Sequence, residues 1–285
     1  MIDQNIDVIT SDSYDHVRFV LSSELRLNIL KLLFNHESCS LEKLTKRLNK
    51  QESNVSRAIK ELQEKKLVAY DDKLYFLTSA GYLVSRNLQN FFDNWYTVNK
   101  MKECWDVHSI DNIPYYFSRY LYLWKDANII KSDYVHYNKT LDVFTEKMKD
   151  AGDIRMILPI YSKYHMKAII HSLIDNDTTL QLVTSRNILK AIQRSEFNES
   201  FERLRTNKRI NIWTSDKDAH NLFYVISDDW AMLSLFYLDK SYDDSTMLID
   251  YKKENMVIHR ALFDDYKNIV FYQMFIPKYS LTQFV

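Results

Sequence analysis

The sequence predicts two structural units, a mainly helical α+β unit followed by an α/β unit with a mixed sheet. Apolar residues recur at helical spacing through the first hundred residues, whereas strand-like runs alternate with helical segments beyond Trp105. The chain has 285 residues, 46% of them hydrophobic, which is enough for two cores. We expect a first domain over residues 1–80, a long connecting helix over 81–104 and a second domain over 105–285.

Composition excludes several classes of function. Gly81 and Gly152 are the only glycines, so glycine-rich loops that cradle phosphates are absent and no cofactor is expected. Cys39 and Cys104 form no CxxC pair, and the histidines are scattered, so we expect neither a disulfide framework nor a metal site. No apolar run approaches the ~20 residues that span a bilayer, which favours a cytoplasmic protein without membrane contact.

Three helices and a hairpin are predicted in order along the first domain. The helices are expected over residues 23–35, 41–48 and 52–65. Ser40 stands where an N-cap is needed, and Asn49 can take the left-handed conformation at the corner between the second and third helices. β-prone runs on both sides of Asp71-Asp72-Lys73 predict a hairpin. This order predicts an N-terminal winged helix-turn-helix.

The second and third predicted helices carry a local positive charge. Residues 41–60 hold six basic and two acidic side chains, a net +4, although lysine plus arginine equals aspartate plus glutamate at 38 in the whole chain. Such a patch suits the phosphates and base edges of double-stranded DNA, whereas a solvated basic helix face is the alternative. The candidate DNA contacts are Lys43, Lys46, Arg47, Gln51, Ser53, Asn54, Ser56, Arg57 and Lys60 in the helices and Lys73 and Tyr75 in the hairpin.

The connecting helix has a short heptad stripe. Its apolar residues alternate spacings of four and three and are Val84, Leu88, Phe91, Trp95 and Val98. We expect this stripe to pair two copies of the chain, because a single DNA-reading module makes few contacts. Packing of the stripe against its own domain is the alternative.

The second domain alternates helices and strands. Helical segments are predicted over 112–124, 140–149, 162–174, 186–206 and 254–266, and strands over 154–160, 180–184, 210–214, 222–226, 231–238 and 246–251. Helical crossovers join the first three strands, which should therefore be parallel. The fourth and fifth strands flank Ser227-Asp228-Asp229 and should form a hairpin, so the sheet is expected to be mixed.

The first domain resembles a known family. Residues 21–84, LSSELRLNILKLLFNHESCSLEKLTKRLNKQESNVSRAIKELQEKKLVAYDDKLYFLTSAGYLV, are similar to an ArsR-type winged helix, and NVSRAIKELQEKKLV matches the family's reader-helix pattern. The chain departs from that pattern at Lys50 and Gln51, where those proteins commonly place an apolar residue and a serine cap. The resemblance implies DNA binding, but not metal sensing, because the cysteine pair of the ArsR metal sensors is missing.

The second domain resembles, more loosely, that of archaeal regulators of the methanogenesis-regulator type, which are similar to the effector domain of the TrmB sugar regulators. The resemblance rests on Trp105, His108, Ile113-Pro114, Ile157-Leu158-Pro159 and LFYVISDDWAMLSLFYLDKSYDDSTMLIDYKKENMVIHRALFDDYK. It implies an archaeal transcription regulator whose second domain, similar to half of a phospholipase D domain, binds an effector of unspecified chemistry.

Phospholipase D enzymes use a His-x-Lys-x4-Asp motif, and the chain contains part of it. His165-Met166-Lys167 fits the first positions, but Ser172 stands at the aspartate position and no second copy is present. Catalysis is therefore not expected. A winged helix that binds protein partners and a degenerate phosphodiesterase are the alternative interpretations.

The carboxyl ends of the parallel strands are where ligands bind in open α/β sheets. The candidate effector contacts there are Tyr161, Ser162, Thr184, Ser185, Arg186, Thr214, Ser215 and Asp216. Hydroxyls and one arginine at a helix N-terminus favour a small polar or anionic ligand. In the alternative, Ser185 only caps its helix and Arg186 is solvated. A second possible location is the aromatic region around Trp105, Tyr115, Tyr116 and Trp124.

Overall fold

The computed structural model describes residues 11–36, 38–110, 113–215 and 222–275. The chain divides into two compact units, residues 1–92 and residues 93–285. The first unit contains α1 (Ser11–Leu21), α2 (Glu24–His36), β1 (Ser38–Cys39), α3 (Leu41–Leu48), α4 (Glu52–Glu64), β2 (Val68–Asp71) and β3 (Leu74–Leu77). The following helix, α5 (Ser79–Lys100), contributes residues 79–92 to the first unit and the rest to the second.

The three strands of the first unit form an antiparallel sheet in the order β1-β3-β2. Asp72 and Lys73 have positive φ values of 42° and 62° and turn β2 directly into β3, which is the backbone conformation that a two-residue hairpin requires. The three predicted helices and the hairpin are found in the predicted order. The additional elements are α1 and the two-residue strand β1, which pairs Cys39 with Tyr75.

Local signals in the sequence explain where the helices of the first unit begin and end. The Ser40 hydroxyl accepts a hydrogen bond from the Lys43 amide at 3.3 Å and caps α3, as predicted. Asn49 ends α3 with φ 49° and ψ 49°, the predicted left-handed conformation. Gly81 lies in the first turn of α5, where a Cβ atom would stand 1.9 Å from the Leu67 carbonyl oxygen, so only glycine allows this close approach.

The second unit is built on one mixed sheet. Its strands are β4 (His108–Ser109), β5 (Asn128–Lys131), β6 (Ile154–Leu158), β7 (Leu180–Ser185), β8 (Ile210–Ser215), β9 (Leu222–Ile226), β10 (Ala231–Tyr237) and β11 (Thr246–Asp250). Their order is β5-β11-β10-β9-β6-β7-β8, and β4 pairs with the end of β10. Strands β6, β7 and β8 are parallel as predicted, whereas β9, β10, β11 and β5 pair antiparallel.

Helices cover both faces of this sheet. They are α6 (Lys102–Trp105), α7 (Tyr115–Ser118), a 3₁₀ turn (Leu121–Trp124), α8 (Lys139–Lys149), α9 (Lys163–Asp175), α10 (Arg186–Gln193), α11 (Asn198–Thr206) and α12 (Lys253–Phe275). In the part of the chain that the structure describes, no helix combines the length and apolarity needed to cross a membrane.

Two helix predictions for the second unit are wrong. The segment 186–206 was expected to be one helix, but it is two, because the Ser195 hydroxyl bonds the Ile192 carbonyl and the Phe197 amide and interrupts the helix there. The aromatic helix expected over 112–124 is two short turns, α7 and the 3₁₀ turn.

Successive side chains along the strands point to opposite faces of the sheet, and each face has its own hydrophobic core. Met156 and Leu158 point to the side covered by α8, α9, α10 and α11, whereas Ile157 between them points to the side covered by α12 and the 3₁₀ turn. On β9, Phe223 faces the first side and Tyr224 the second. The two faces of the sheet therefore hold different sets of side chains.

Candidate functional site

Helix α4 presents a polar face on the side opposite its core. Val55, Ala58, Ile59 and Leu62 are buried in the first unit. The predicted contacts on α3, α4 and the corner between them are all exposed: Lys43, Lys46, Arg47, Gln51, Ser53, Asn54, Ser56, Arg57 and Lys60. The predicted division of α4 into a core stripe and an accessible stripe is thus present.

An ion-pair network supports this face. Arg57 donates from Nε to Oε1 of Glu61 at 3.1 Å, and Arg26 of α2 donates from Nη1 to Oε2 of the same carboxylate at 2.6 Å. The hydrogen bond from Arg26, together with that from Arg57, holds the pKa of Glu61 below its usual value against the opposing effect of burial. Sequence reasoning missed Arg26 and Glu61, although the spacing of Arg57 and Glu61 is that of a helical ion pair.

The hairpin residues differ in their surroundings. Lys73 is exposed at the tip, where it is accessible to a partner. Tyr75 is half-buried, packs against the first unit's core and lies with its ring centroid 4.7 Å from that of Tyr70. Burial, with a contribution from Tyr70, raises the pKa of Tyr75. Tyr75 therefore has a clear packing role in the hairpin, and the more exposed ring of the pair is Tyr70.

The heptad stripe of α5 is divided between two environments. Val84 and Leu88 pack against the first unit's core and line a groove of about 220 Å³ together with Val17 and Val20 of α1. The remaining members, Phe91, Trp95 and Val98, are exposed, with Trp95 at 60%. Phe92 and Tyr96 add exposed rings beside them. Val84 and Leu88 therefore follow the alternative interpretation, in which the stripe packs against its own domain.

At the strand ends, several predicted effector contacts have structural partners. Thr184 is buried and donates its hydroxyl to the Leu158 carbonyl at 2.7 Å. Ser185 caps α10 by accepting from the Ile188 amide at 3.2 Å, and Arg186 behind it is exposed. Thr214 is half-buried in β8, Ser215 ends that strand paired with Ser185, and Asp216 lies outside the described residues.

A cavity of about 430 Å³ lies beside the end of β6, on the sheet face covered by α8 and α9. Its aromatic and apolar walls are Tyr137, Leu141, Phe144, Ile160, Tyr161, Tyr164, Phe223, Met232, Tyr242 and Met247, and its polar lining is Asn138, Thr140, Ser162, His165, Ser234 and Asp244. Of the predicted effector contacts, the structure brings Tyr161 and Ser162 to this cavity. The described residues of the other strand ends are not part of its lining.

His165 is neutral in this setting. Its ring centroid lies 4.8 Å from that of Phe144 and 5.4 Å from that of Phe223, and burial lowers its pKa to about 4. Lys167, two residues further along α9, is exposed and does not line the cavity. His165 and Lys167 therefore do not converge on one point, as a phosphodiesterase would need, because residues two apart on a helix face different sides.

Two buried histidines form hydrogen-bond networks that sequence reasoning did not find. His108 places Nδ1 at 2.6 Å from the Cys104 carbonyl and Nε2 at 2.8 Å from Oδ2 of Asp243. Both partners are acceptors, so both ring nitrogens carry protons. Burial opposes this charge, but the hydrogen bonds to Asp243 and Cys104 outweigh it and raise the pKa of His108 to about 10. Tyr237 donates to the other carboxylate oxygen of Asp243 at 2.8 Å.

The second network lies on the α12 side of the sheet. Tyr224 and His259 are fully buried, and the Tyr224 hydroxyl meets Nδ1 of His259 at 2.6 Å. Nε2 of His259 lies 3.0 Å from Oδ2 of Asp250. The same oxygen accepts a hydrogen bond from Nδ2 of Asn255 at 2.6 Å. A neutral imidazole satisfies this arrangement, accepting from Tyr224 and donating to Asp250. Trp124, part of the predicted aromatic region, packs its ring 5.0 Å from His259 and belongs to this core.

The fold and the side-chain distribution together define a class of protein. A helical unit with an exposed basic helix pair is joined to an α/β unit with a cavity, and the residues that the structure describes include no cluster of His, Cys, Asp or Glu suited to a metal ion. An exposed basic helix pair in one unit and a cavity in the other are the arrangement typical of a two-domain regulatory protein.

The family is shown by two domain models. The N-terminal domain model of the methanogenesis regulatory protein FilR1 matches residues 14–94, and the middle domain model of the same protein matches residues 137–269. Together the matches cover about three quarters of the chain. The chain belongs to this family of archaeal transcription regulators, which confirms the resemblance predicted from the sequence. A search of the curated proteins finds no match.

Several solved structures are similar to the chain at low identity. One is TrmBL2, described as an archaeal chromatin protein with a novel mode of DNA binding, with a TM-score of 0.38, 10% identity and coverage of 90% of this chain and 97% of that one. The phospholipase D family member Nuc from Salmonella typhimurium has a TM-score of 0.37 and 12% identity over 50% of this chain and 94% of its own. NucT from Helicobacter pylori has a TM-score of 0.34 and 11% identity over 49% and 94%.

Proposed function

We propose that the chain is a cytoplasmic, sequence-specific DNA-binding transcription regulator whose first unit is a winged helix-turn-helix and whose second unit senses a small-molecule effector. The observation that carries the DNA-binding proposal is the exposed polar face of α3 and α4. It holds a net +4 charge over residues 41–60 within a chain of zero net charge. Its placement on two adjoining helices matches what a DNA reader needs.

The element order supports the winged-helix assignment. Helices α3 and α4 are joined by a corner of three residues, Asn49 to Gln51, with Asn49 in the left-handed conformation. The strand β1 completes a three-stranded sheet with the hairpin that follows α4. In such an arrangement α4 is the reader helix in the major groove and the tip at Lys73 is the wing.

The side chains of α4 are of the types that read bases. Arg57 can bridge O6 and N7 of guanine, and Asn54 can bridge N6 and N7 of adenine, whereas Lys43 and Lys46 on α3 suit phosphates. All four side chains are exposed. The apolar residues on the opposite face of α4, including Val55 and Ile59, are buried and pack the helix against its unit.

The DNA-binding proposal is tested by a gel-shift titration of the full chain with the DNA upstream of its own coding region. We expect a shift that an excess of unrelated duplex does not remove. A winged helix that binds a protein partner, the second candidate, gives no specific shift in this experiment.

Dimerisation through α5 completes the proposal. The exposed members of the heptad stripe, Phe91, Trp95 and Val98, would pack against the same residues of a second copy, since heptad spacing is the pattern that two helices share when they pack side by side. Two reader helices would then contact paired half-sites. Val84 and Leu88 contribute less to this contact, because their own unit already covers part of each side chain.

A further inference from the structure

The cavity at the end of β6 is assembled from segments that are distant in sequence. Helix α8 supplies Phe144, helix α9 supplies His165, β9 supplies Phe223, and the segment between β10 and β11 supplies Tyr242. The Phe223 centroid lies 5.8 Å from that of Phe144 and 6.1 Å from that of Tyr242, so the rings form one continuous wall. A volume of about 430 Å³ falls within the usual range for small-molecule sites, about 300 to 1,000 Å³.

The interior of this cavity offers no positive charge to an anion. None of the described residues that line it is lysine or arginine, and His165 is neutral at pH 7. The acidic member of the lining is Asp244, which is exposed. A charged ligand would lose part of its hydration here without gaining a buried counter-charge, because solvent screens the exposed Asp244, so the lining favours an uncharged ligand.

The serine and threonine hydroxyls of the cavity and that of Tyr242 are engaged by the protein itself. Thr140 donates to the Asp244 carbonyl, and Ser162 caps α9 by accepting from the His165 amide at 3.5 Å. Burial raises the pKa of Tyr242, and a hydrogen bond with Ser234 partly offsets this effect. A ligand therefore meets mainly ring faces and methionine side chains, and His165 Nδ1, which is buried without a hydrogen-bond partner, offers it one directional polar contact.

We propose that this cavity is the effector site of the second unit and that it takes an uncharged ligand with an aromatic or similarly flat apolar ring. Aromatic rings stack or pack edge to face against such a ligand, and Met232 and Met247 adapt to its outline. The regulatory meaning of the site rests on the sensing role proposed above, whereas its ligand chemistry follows from the lining alone. This location replaces the strand-end site around Arg186, and the chemistry replaces the polar or anionic ligand expected from the sequence.

The test compares three phenols that differ in one substituent. They are p-cresol, 4-hydroxybenzoate and 4-hydroxybenzylamine, which are uncharged, anionic and cationic at pH 7. Binding to the full chain is measured by isothermal titration calorimetry and by ligand-observed NMR at about 1 mM probe. We expect p-cresol to bind with one site per chain, and each charged analogue to bind about tenfold more weakly or worse.

Two substitutions on α8 test whether p-cresol binds in the cavity. Leu141→Trp adds volume at a partly exposed position of the lining, so the fold is retained while the cavity is filled. Glu146→Trp places the same side chain on the exposed side of the helix as a matched control. We expect Leu141→Trp to weaken p-cresol binding about tenfold and Glu146→Trp to leave it unchanged. Circular dichroism and the melting temperature confirm that both variants fold.

The outcomes separate the ligand chemistry from the regulatory role. Absence of p-cresol binding, equal or tighter binding of a charged analogue, or an unchanged affinity in Leu141→Trp would overturn the inference. Repeating the titration with DNA present tests the sensing role independently. Binding of p-cresol without any change in DNA affinity would support the cavity chemistry and contradict the proposed sensing function.

Discussion

Arg57 and Arg26 share one carboxylate, because each donates to a different oxygen of Glu61, at 3.1 Å and 2.6 Å. The Arg57 side chain is 82% exposed whereas that of Arg26 is 14% exposed. Glu61 therefore ties an accessible arginine of the α4 face to the packed interface between α4 and α2. The bond to Glu61 uses Nε of Arg57, and the guanidinium has further N–H donors that can meet a guanine edge.

Arg57→Ala is expected to weaken binding to a specific site by about 1 to 3 kcal/mol, because it removes a base contact. Glu61 keeps its bond to Arg26 in this variant, so the fold should not change. Fluorescence anisotropy on a specific duplex and on an unrelated one measures the effect. Arg205→Ala is the matched control, since Arg205 is also an exposed helical arginine paired with a nearby glutamate, Glu202. Equal affinities of the Arg57 variant and the control for the specific duplex would refute the base-reading role.

The His108–Asp243 pair should make stability depend on pH in the alkaline range. The pKa of His108 rises from 6.5 to about 10 on folding, so the folded state holds the proton more tightly than the unfolded state. The stabilisation is complete below about pH 6.5 and is lost as the pH rises towards 10. Wild type should therefore lose more unfolding free energy between pH 6 and pH 9 than His108→Gln does. Urea titrations at several pH values across that range measure the unfolding free energy of each protein. Equal losses of unfolding free energy in the two proteins would contradict the assignment of a charged His108.

Tyr224→Phe is expected to lower the unfolding free energy by about 1 to 3 kcal/mol, because the buried Nδ1 of His259 loses its donor. Urea unfolding followed by near-ultraviolet circular dichroism measures this change in stability. Tyr164→Phe provides the control, since that tyrosine is 67% exposed. If both substitutions leave the transition unchanged, the Tyr224–His259 bond does not contribute to stability.

Trp95→Glu is expected to convert a dimer into a monomer at micromolar concentration, because it places a charge in the centre of the exposed stripe of α5. Leu83→Glu is the control, since Leu83 is also exposed on α5 but lies off the heptad positions. Sedimentation velocity gives the mass of each protein. A monomeric wild type, or a dimer that survives Trp95→Glu, would exclude this surface as the interface.

The sequence predicted best where a local signal defines an element. The bounds of α3 were predicted from the serine cap at Ser40 and the left-handed Asn49, and the hairpin from its turn at Asp72 and Lys73. The strands β1, β4 and β5 were not predicted. All three are short; β1 and β5 lie at sheet edges, and β4 pairs with the end of β10, so pairing with a partner strand rather than periodicity decides their conformation.

The candidate sites divide in the same way. The exposed face of α4 follows from helical geometry, so its residues could be predicted from spacing alone. The cavity could not, because residues such as Phe144, His165 and Tyr242 meet only through the tertiary fold. His108 and Asp243 are 135 residues apart, and no local pattern marks them as partners.

The central proposal, DNA binding through the basic face of α3 and α4, is tested most directly by the salt dependence of duplex affinity. Fluorescence anisotropy is measured from about 50 mM to 200 mM salt for wild type and for the double variant Lys43→Ala, Lys46→Ala. We predict that log affinity falls linearly with log salt in wild type, and that the slope is smaller by about two in the variant, on specific and unrelated duplexes alike. No binding of wild type to duplex DNA at the lowest salt, or identical slopes in the two proteins, would contradict DNA binding through the basic face of α3 and α4.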